Sequence, residues 1–497
     1  MFGGEITHNK KALMLILLIS TGARVYTLMN LPLHGDEAVY AEIIDEFIKK
    51  PTLLPTFLGH VISWKPPLTF IVYSLFIRVF NIIIPGAPVE LTYRLPSLIF
   101  GVLSVLTFYF LVKKLYNDEL AFASALILSI FPVFLFTNSL LLVDNLLIFL
   151  IILSLLFYLE GEKNRKYFYY GGFITASAFW TKTYFSFMIP PIIIAYYYDN
   201  KKILFSKDFI YSLFLLPAGA LVYTALFFFA SPIGYDLFYS YLFDFGTLLK
   251  PLSFGSTLAE TILFLYLCTF PWILLIIFSP FRINYKTRQN KMMLVWLLFT
   301  ALIIFRPGFF WYYASVAPAI AFLSASTLFS IKNKNQIYTI LIAFLYTVFA
   351  SYPPFVTGYT STPVIIYSEK QAGQFLQNKT DIFILADRGL TSLAFYKFHD
   401  EERPNFNAIN MTMTGRSDVL TYIVYDTVYD QLKNPEKKEI TIKNGTDIKN
   451  AILESKINNY VVLNKNDYNL LLSDFPQNYK IVFNTMNTDI IILEKIR

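Results

Sequence analysis

The feature that most limits how this chain can fold is a series of long apolar runs separated by short polar connections. A transmembrane helix needs about 20 consecutive apolar residues, and the runs that approach this length predict roughly eleven spans. With 56% hydrophobic and only 15% charged residues, the chain is too apolar for an ordinary soluble domain. We therefore predict a polytopic α-helical membrane protein. The predicted spans are residues 12–31, 95–112, 119–138, 141–159, 167–181, 183–198, 209–230, 256–280, 291–305, 309–330 and 336–352.

Positive charge in the connections predicts the orientation of these spans. Lysine and arginine recur in every second connection, and the positive-inside rule assigns those connections to the cytoplasm together with the N-terminus. The net charge of +7 is spread over these loops, which is not the pattern of a nucleic-acid-binding surface. The alternate connections then face outward. They are residues 31–94, the hinge at Lys182, residues 231–255, the turn at Arg306 and everything after residue 352.

One apolar run must be left out for this alternation to hold. It extends from Thr69 to Ile84 and carries Arg78 in its middle. A charged residue at that position is costly in a full span. We therefore predict a juxtamembrane or re-entrant helix within the outer loop.

The chain changes character after residue 352. Charged residues become frequent, and short runs rich in β-branched and aromatic residues replace the long apolar ones, which is typical of strands. We predict two domains: a transmembrane domain at residues 1–352, with an outer active-site loop at 31–94, and a soluble extracytoplasmic α/β domain at 353–497. The predicted strands are residues 381–387, 420–426, 460–464, 479–483 and 489–495.

Two adjacent carboxylates, Asp36 and Glu37, stand at the start of the outer loop in the stretch GDEAVYAEI. Asp36 has a structural interpretation as the cap of a helix from Glu37 to Lys49. It also has a functional one, because a carboxylate just outside a membrane helix is where a general base for an acceptor hydroxyl would lie. Capping and catalysis are compatible, and the sequence leaves both open.

Four cations occupy the outer face that the positive-inside rule depletes. They are Lys65 in SWKPPL, Arg94 before Pro96, Lys182 and Arg306. The prolines predict that Lys65 and Arg94 each precede a helix start, where the helix dipole favours an anion and disfavours a lone cation. Any single one is explained by a side chain reaching the interface. Together they indicate a phosphate at the membrane surface.

Two further residues are candidates for the same site. Asp144 lies in an apolar stretch at the outer end of a predicted span, where an ionisable residue is a functional candidate, with helix capping as the alternative. His60 lies in the outer loop and could be a metal ligand or a second base, but with no second histidine spaced for zinc an ordinary interfacial histidine is the favoured interpretation. The sequence does not decide whether the protein needs a metal. Glu37 and His60 are the possible ligands of a divalent ion.

The order of these motifs resembles the C-type membrane glycosyltransferases, in the branch that holds the protein O-mannosyltransferases and the aminoarabinose transferase of lipid A. The resemblance rests on GDEAVYAEI, SWKPPL, RLPS at Arg94, the position of Asp144, KTYF at Lys182 and FFWYYASVAPAIAFL at 309–323. It covers most of residues 10–350. Val39 stands where the aminoarabinose branch has arginine, and Lys65 where the mannosyltransferases have histidine.

The resemblance implies a function. Such enzymes transfer a glycosyl group from a polyprenyl (dolichyl or undecaprenyl) phosphate to an acceptor hydroxyl on a protein, lipid or glycan outside the membrane, with inversion. Asp36 would then be the general base, and Glu37 would orient the acceptor or help to bind a metal. Lys65, with Arg94 and Lys182, would hold the donor phosphate. No general acid is needed, because polyprenyl phosphate leaves readily once its charge is matched.

Two other functions compete with this one. A transporter or flippase of lipid-linked sugars should show inverted repeats and spans broken near mid-membrane. The sequence shows no such symmetry, and its charges cluster at one surface. A non-catalytic scaffold leaves Asp36, Lys65 and Arg94 unexplained.

Overall fold

The computed structural model forms two compact units. Unit 1 comprises Met1–Asn30, Leu53–Pro55 and Ser63–Gly358, and unit 2 comprises Leu31–Thr52, Thr56–Ile62 and Tyr359–Arg497. The structure describes residues 2–28, 32–33, 35–57, 60–61, 65–230, 269–281, 283–304, 310–331, 333–359, 363–377 and 379, and strands at 382–387, 407–413, 420–425, 439–442, 460–464, 479–484 and 490–495.

Helices make up the described part of unit 1. They are α1 (Phe2–Leu28), α3 (Leu68–Ile83), α4 (Val89–Leu115), α5 (Asp118–Ser129), α6 (Pro132–Thr137), α7 (Val143–Glu160), α8 (Lys166–Phe179), α9 (Thr183–Ser186), α10 (Ile189–Tyr197), α11 (Lys201–Leu204), α12 (Lys207–Ala230), α13 (Ile273–Phe278), α14 (Arg288–Ile304), α15 (Ala317–Phe329) and α16 (Lys334–Tyr359). α2 (Gly35–Lys49) and α17 (Pro363–Leu376) belong to unit 2.

Length and composition identify membrane-crossing candidates among these helices. Within the described residues, three are long and apolar enough: Val89–Leu115, Val143–Glu160 and Lys207–Leu226. Shorter apolar helices run at Leu13–Val25, Leu68–Ile83, Ala317–Phe329 and Asn335–Val348. The count of eleven spans therefore stays a prediction.

Small residues bring α8 and α12 close together. A Cβ on Gly172 would lie 2.2 Å from the Ser212 carbonyl oxygen, so only glycine fits there. The Trp180 indole donates to the Gly219 carbonyl oxygen at 2.9 Å. Such close backbone approach is how helices associate in lipid, where apolar burial supplies no driving force.

Ion pairs join connections that the sequence assigned to one face. Lys114 pairs with Glu160 at 2.9 Å, Arg288 with Glu162 at 3.0 Å, and Lys291 with Asp199 at 2.7 Å. These contacts link the last turns of α4 and α7, the start of α14 and the end of α10. The connections predicted to be cytoplasmic thus lie at one end of the helices.

Several predicted element boundaries are wrong. Arg94 does not precede a helix start, because α4 begins at Val89 with Pro88 at its N-cap, and Pro96 lies inside the helix. Proline inside a membrane helix is tolerated where neighbouring groups can satisfy the carbonyl that it leaves free. The predicted span 119–138 is two helices, α5 and α6, separated before Pro132. The predicted span 183–198 is likewise split into α9 and α10.

Unit 2 contains a hairpin and a mixed sheet. α2 packs on the hairpin formed by β1 (Thr56–Phe57) and β2 (His60–Val61). The sheet has the order β6-β5-β4-β3-β7-β9-β8, in which β3 is parallel to β4 and β7 and the other pairs are antiparallel. Its strands are β3 (Ile382–Asp387), β4 (Asn407–Met413), β5 (Leu420–Tyr425), β6 (Glu439–Ile442), β7 (Tyr460–Asn464), β8 (Tyr479–Asn484) and β9 (Ile490–Lys495).

Burial shows where part of the core of unit 2 lies. Ile490, Ile491, Ile492 and Leu493 of β9 are buried, and α17 packs on this strand. All five strands predicted from the sequence are present, whereas β4 and β6 were missed. The predicted domain boundary at 352/353 falls inside α16 and stays a prediction, because compactness does not define where the membrane ends.

Candidate active site

A buried ion pair joins α7 to the residue before α9 in unit 1. Asp144 lies in the first turn of α7, and Lys182 is the extended residue before α9. The Lys182 Nζ and Asp144 Oδ1 atoms are 2.6 Å apart, and the two side chains are only 6% and 3% exposed. The sequence had assigned these residues to separate tasks. The structure joins them into one group whose opposite charges compensate each other.

Aromatic rings enclose the lysine of this pair. The Lys182 ammonium lies 4.0 Å from the centre of the Tyr312 ring and 4.9 Å from that of Phe185. The two rings contact each other edge to face, with centroids 5.5 Å apart. Ring faces attract a cation most strongly where water is excluded. Tyr312 belongs to the segment 309–323, one of the stretches that resemble the glycosyltransferase family. This segment therefore supplies one of the two rings beside Lys182.

A backbone hydrogen bond ties the stretch that carries Lys65 to the stretch that carries Lys182. The Leu68 N–H donates to the Trp180 carbonyl oxygen at 3.1 Å. Leu68 opens α3, with Pro67 at its N-cap, as the two prolines predict. Lys65 is half-buried three residues before this contact. The Lys65 and Lys182 segments therefore meet at the same corner of unit 1.

A second hydrogen-bonded chain connects α4 to the start of α7. Ser97 Oγ donates to the Tyr73 hydroxyl at 3.3 Å, and Tyr73 donates to the Leu142 carbonyl oxygen at 3.2 Å. Arg94 is fully buried on α4 and lies three residues before Ser97, which places both on one face of the helix. The segments of Lys65, Arg94, Asp144 and Lys182 are thus held together within unit 1.

The carboxylates Asp36 and Glu37 belong to unit 2. Both lie in the first turn of α2, which begins at Gly35, so Asp36 is a helical residue and not the cap. An acid is stabilised in a first turn by the helix dipole, as it is at a cap. Asp36 keeps part of its surface exposed, whereas Glu37 is fully buried. Of the two carboxylates, Asp36 is the one with accessible surface in the structure.

Two predicted site residues cannot be placed. Arg306 and the side chain of His60 lie outside the described residues. Among the residues that are described, no group of three His, Cys, Asp or Glu side chains is arranged to hold a metal ion.

Sequence reasoning missed a set of buried polar residues that includes Asn145, the neighbour of Asp144 in the chain. Arg24, Asn138 and Asn145 are 0% exposed and hydrogen-bond to one another in series. One signal was available, because Arg24 falls inside the first predicted span, where an ionisable residue is a functional candidate. The amides gave no such signal.

Comparison by sequence places the central part of the chain near one family. Residues 64–230 match the family model for dolichyl-phosphate-mannose-protein mannosyltransferase. This region contains Lys65, Arg94, Asp144 and Lys182. A search of curated proteins by sequence finds no significant match.

Comparison by structure covers nearly the whole chain. The fold is similar to ArnT from Cupriavidus metallidurans bound to undecaprenyl phosphate, with a TM-score of 0.64 and 13% identity over 99% of this chain and 98% of that one. It is also similar to the oligosaccharyltransferase AglB from Archaeoglobus fulgidus in complex with an inhibitory peptide and a dolichol-phosphate. That match has a TM-score of 0.51 and 15% identity over 79% and 64% of the two chains.

These findings confirm two expectations drawn from the sequence. The fold is that of the C-type membrane glycosyltransferases, a mostly helical membrane protein followed by a small sheet. The resemblance to the mannosyltransferase and ArnT branch is also confirmed.

Proposed function

We propose that this chain, a membrane protein with the fold of ArnT, transfers a glycosyl group from a polyprenyl phosphate-linked sugar to an acceptor hydroxyl, with inversion at the anomeric carbon. The observation that carries the proposal is the match over 98% of an ArnT chain that itself binds undecaprenyl phosphate. The family match over residues 64–230 supports it independently. The matches described above are to transferases, and none favours the transporter or flippase alternative.

The cations of unit 1 suit the leaving group. A polyprenyl phosphate carries negative charge at the membrane surface, and it leaves more readily when fixed positive groups match the charge that develops in the transition state. Lys65 and Arg94 supply such charge. Lys182 contributes less net attraction, because Asp144 already compensates its ammonium at 2.6 Å. Arg306 is a weaker addition to this set.

The carboxylates divide the remaining work. Asp36 is partly exposed and takes the proton from the acceptor hydroxyl as general base. Glu37 is buried beside it in the chain and orients the acceptor side of the site. Asp144 acts through Lys182, because its charge is engaged in the buried pair.

The orientation follows from charge. The basic connections lie at one end of the helices, and the positive-inside rule assigns them to the cytoplasm. The N-terminus is then cytoplasmic, and the domain after residue 352 is extracytoplasmic. The acceptor, whether protein, lipid or glycan, is met at the outer face.

The proposal is tested by turnover of a labelled donor. The purified protein in lipid nanodiscs is given radiolabelled polyprenyl-phosphate sugars and an acceptor extract from membranes. We expect release of polyprenyl phosphate together with acceptor labelling. Donor binding without release, across several sugars and extracts, would contradict transfer and favour transport.

A further inference from the structure

A buried array of polar side chains ends at Asn145, the residue that follows Asp144 in the chain. The Asn138 amide donates to Asn145 Oδ1 at 2.6 Å, and the Asn145 amide donates to the Leu140 carbonyl oxygen at 2.9 Å. Asn145 is the next residue after Asp144 in the first turn of α7. The array therefore holds the very turn that carries Asp144.

Arg24 of α1 anchors the other end of the array. Its guanidinium donates to Asn138 Oδ1 at 3.0 Å, to the Ser129 carbonyl oxygen at 3.3 Å and to Ser20 Oγ at 2.7 Å. It lies 5.4 Å from the centre of the Phe134 ring. A charged side chain within an apolar membrane helix is costly, and such residues are rare and usually functional. A residue kept at such a cost has a task that an apolar side chain cannot perform.

Gly101 of α4 leaves the space that the array occupies. A Cβ at this position would lie 2.7 Å from Asn138 Cβ and 2.8 Å from Arg24 Nε. Both distances are shorter than a normal contact, so alanine would displace Arg24, Asn138 or both. Three elements, α1, α4 and the end of α6, thus meet at one point with close fit.

The backbone between α6 and α7 explains why the array is needed. Residues 138–142 are irregular and buried, and carbonyl groups in such a segment cannot bond to water inside a membrane protein. Asn145 satisfies the Leu140 carbonyl, and Tyr73 satisfies that of Leu142. This break in the helical path lets α7 begin at Val143, with Asp144 in its first turn.

We propose that Arg24, Asn138 and Asn145 form a positioning array, which fixes the first turn of α7 and so sets the geometry of the Asp144–Lys182 pair. None of the three contacts the donor or the acceptor in this account. The catalytic consequence rests on the proposed function, whereas the effect on the ion pair does not.

Two variants disturb the array from different sides. Asn145→Leu keeps a branched side chain but removes both hydrogen bonds, and Gly101→Ala introduces a methyl group without removing any polar group. Arg24→Lys is a milder third variant, which keeps the charge but cannot bridge several acceptors. The matched control is Ser154→Ala on the same helix, because Ser154 is also buried and bonds to Thr175 Oγ1 at 2.7 Å.

The first measurement does not depend on turnover. An amine-reactive ester is applied to the full-length protein in nanodiscs, and modification of Lys182 is followed by mass spectrometry. A buried, paired lysine reacts slowly. We expect the rate at Lys182 to rise several-fold in Asn145→Leu and Gly101→Ala and to stay at the native value in Ser154→Ala. An unchanged rate in all array variants, or an equal rise in the control, would overturn the proposal.

The second measurement separates positioning from stability. We expect kcat per folded molecule to fall by about 100-fold in the array variants, since a shift of about 1 Å at a site has that effect. The KM for donor should change far less, because the lost interaction is one of orientation. A fall confined to thermal stability would overturn the catalytic part. If the array variants label faster at Lys182 than the native protein, but the native protein itself shows no turnover, the array is upheld and the proposed function is defeated.

Discussion

Asp36 and Asp144 occupy the same local position in two different parts of the molecule. Each is an acid in the first turn of a helix, α2 in unit 2 and α7 in unit 1. Asp144 is 3% exposed and bonded to a lysine at 2.6 Å, whereas Asp36 keeps part of its surface accessible. The comparison shows that a carboxylate at a helix start does not define a role. Its burial and its partner decide whether it can exchange a proton with a substrate.

The family match divides the candidate residues in the same way. Residues 64–230 include the ion pair and the cations Lys65 and Arg94, and they exclude Asp36 and Glu37. The residues proposed to bind the donor phosphate, apart from Arg306, therefore lie within the part of the chain that matches the mannosyltransferase model. The residues proposed to act on the acceptor, Asp36 and Glu37, lie outside that match.

The largest expected effect follows from breaking the buried pair. Lys182→Met leaves Asp144 buried without its ammonium partner and should lower the free energy of unfolding by about 3–5 kcal/mol. Asp36→Asn should lower it by less, because the Asp36 side chain is partly exposed and its charge is better solvated. Both changes in unfolding free energy can be measured by unfolding the variants and the native protein in mixed micelles. Equal losses in the two variants would remove the contrast between the carboxylates.

A second prediction concerns the donor. Lys65→Gln removes a charge-assisted contact worth about 1.5–3 kcal/mol, so the Kd for undecaprenyl phosphate should rise by roughly tenfold to a hundredfold. The control is Arg78→Gln, an exposed cation on the neighbouring helix α3, which should leave the Kd unchanged. Binding is measured in nanodiscs by fluorescence titration. Parallel changes in both variants would indicate a general charge effect and no specific site.

The aromatic wall should have a smaller effect. Tyr312→Leu removes the ring 4.0 Å from the Lys182 ammonium and should destabilise the protein by about 0.5–2 kcal/mol. Phe185→Leu, which removes the ring at 4.9 Å, tests the dependence on distance and should cost less. Thermal unfolding of both variants beside the native protein provides the measurement. A greater loss in Phe185→Leu would show that packing, and not the cation, dominates.

The smallest effect is expected for an exposed ion pair of unit 2. Lys480 and Glu494 lie 3.2 Å apart on β8 and β9, with side chains 59% and 32% exposed. Pairs in such surroundings contribute about 0.2–1 kcal/mol or nothing measurable. Lys480→Ala should therefore shift the unfolding temperature far less than Lys182→Met. A comparable shift in unfolding temperature would mean that burial does not explain the contribution of the Asp144–Lys182 pair to stability.

Local patterns predicted much of the fold. The strands β3, β5, β7, β8 and β9 are found within one residue of their predicted bounds, because short runs of isoleucine, valine and tyrosine between polar residues are typical of strands. β4, with the sequence NAINMTM, alternates asparagine and threonine with apolar residues and gave too weak a signal. Pro96 was wrongly taken as a helix start, because sequence alone does not show that Pro88 already serves that purpose.

The site was predicted as a set of residues but not as an arrangement. Charge alternation assigned Lys65, Asp144 and Lys182 to one face of the membrane. It could not show that Asp144 and Lys182, 38 residues apart, form a direct pair. Which loops meet depends on how helices pack, and small residues such as Gly101 and Gly172 decide this by contacts that no local pattern records.

The most direct test of the account is the turnover of a labelled polyprenyl-phosphate sugar by the native protein and by Asp36→Asn, with Asp45→Asn on the same helix as control. We expect the native protein and the control to release polyprenyl phosphate at similar rates. Asp36→Asn should bind the donor normally and lose about 100-fold or more in kcat, the scale of a missing general base. If Asp36→Asn turns over at the native rate, Asp36 is not the general base, which contradicts the roles proposed for Asp36 and Asp144. The general base would then have to be sought in unit 1.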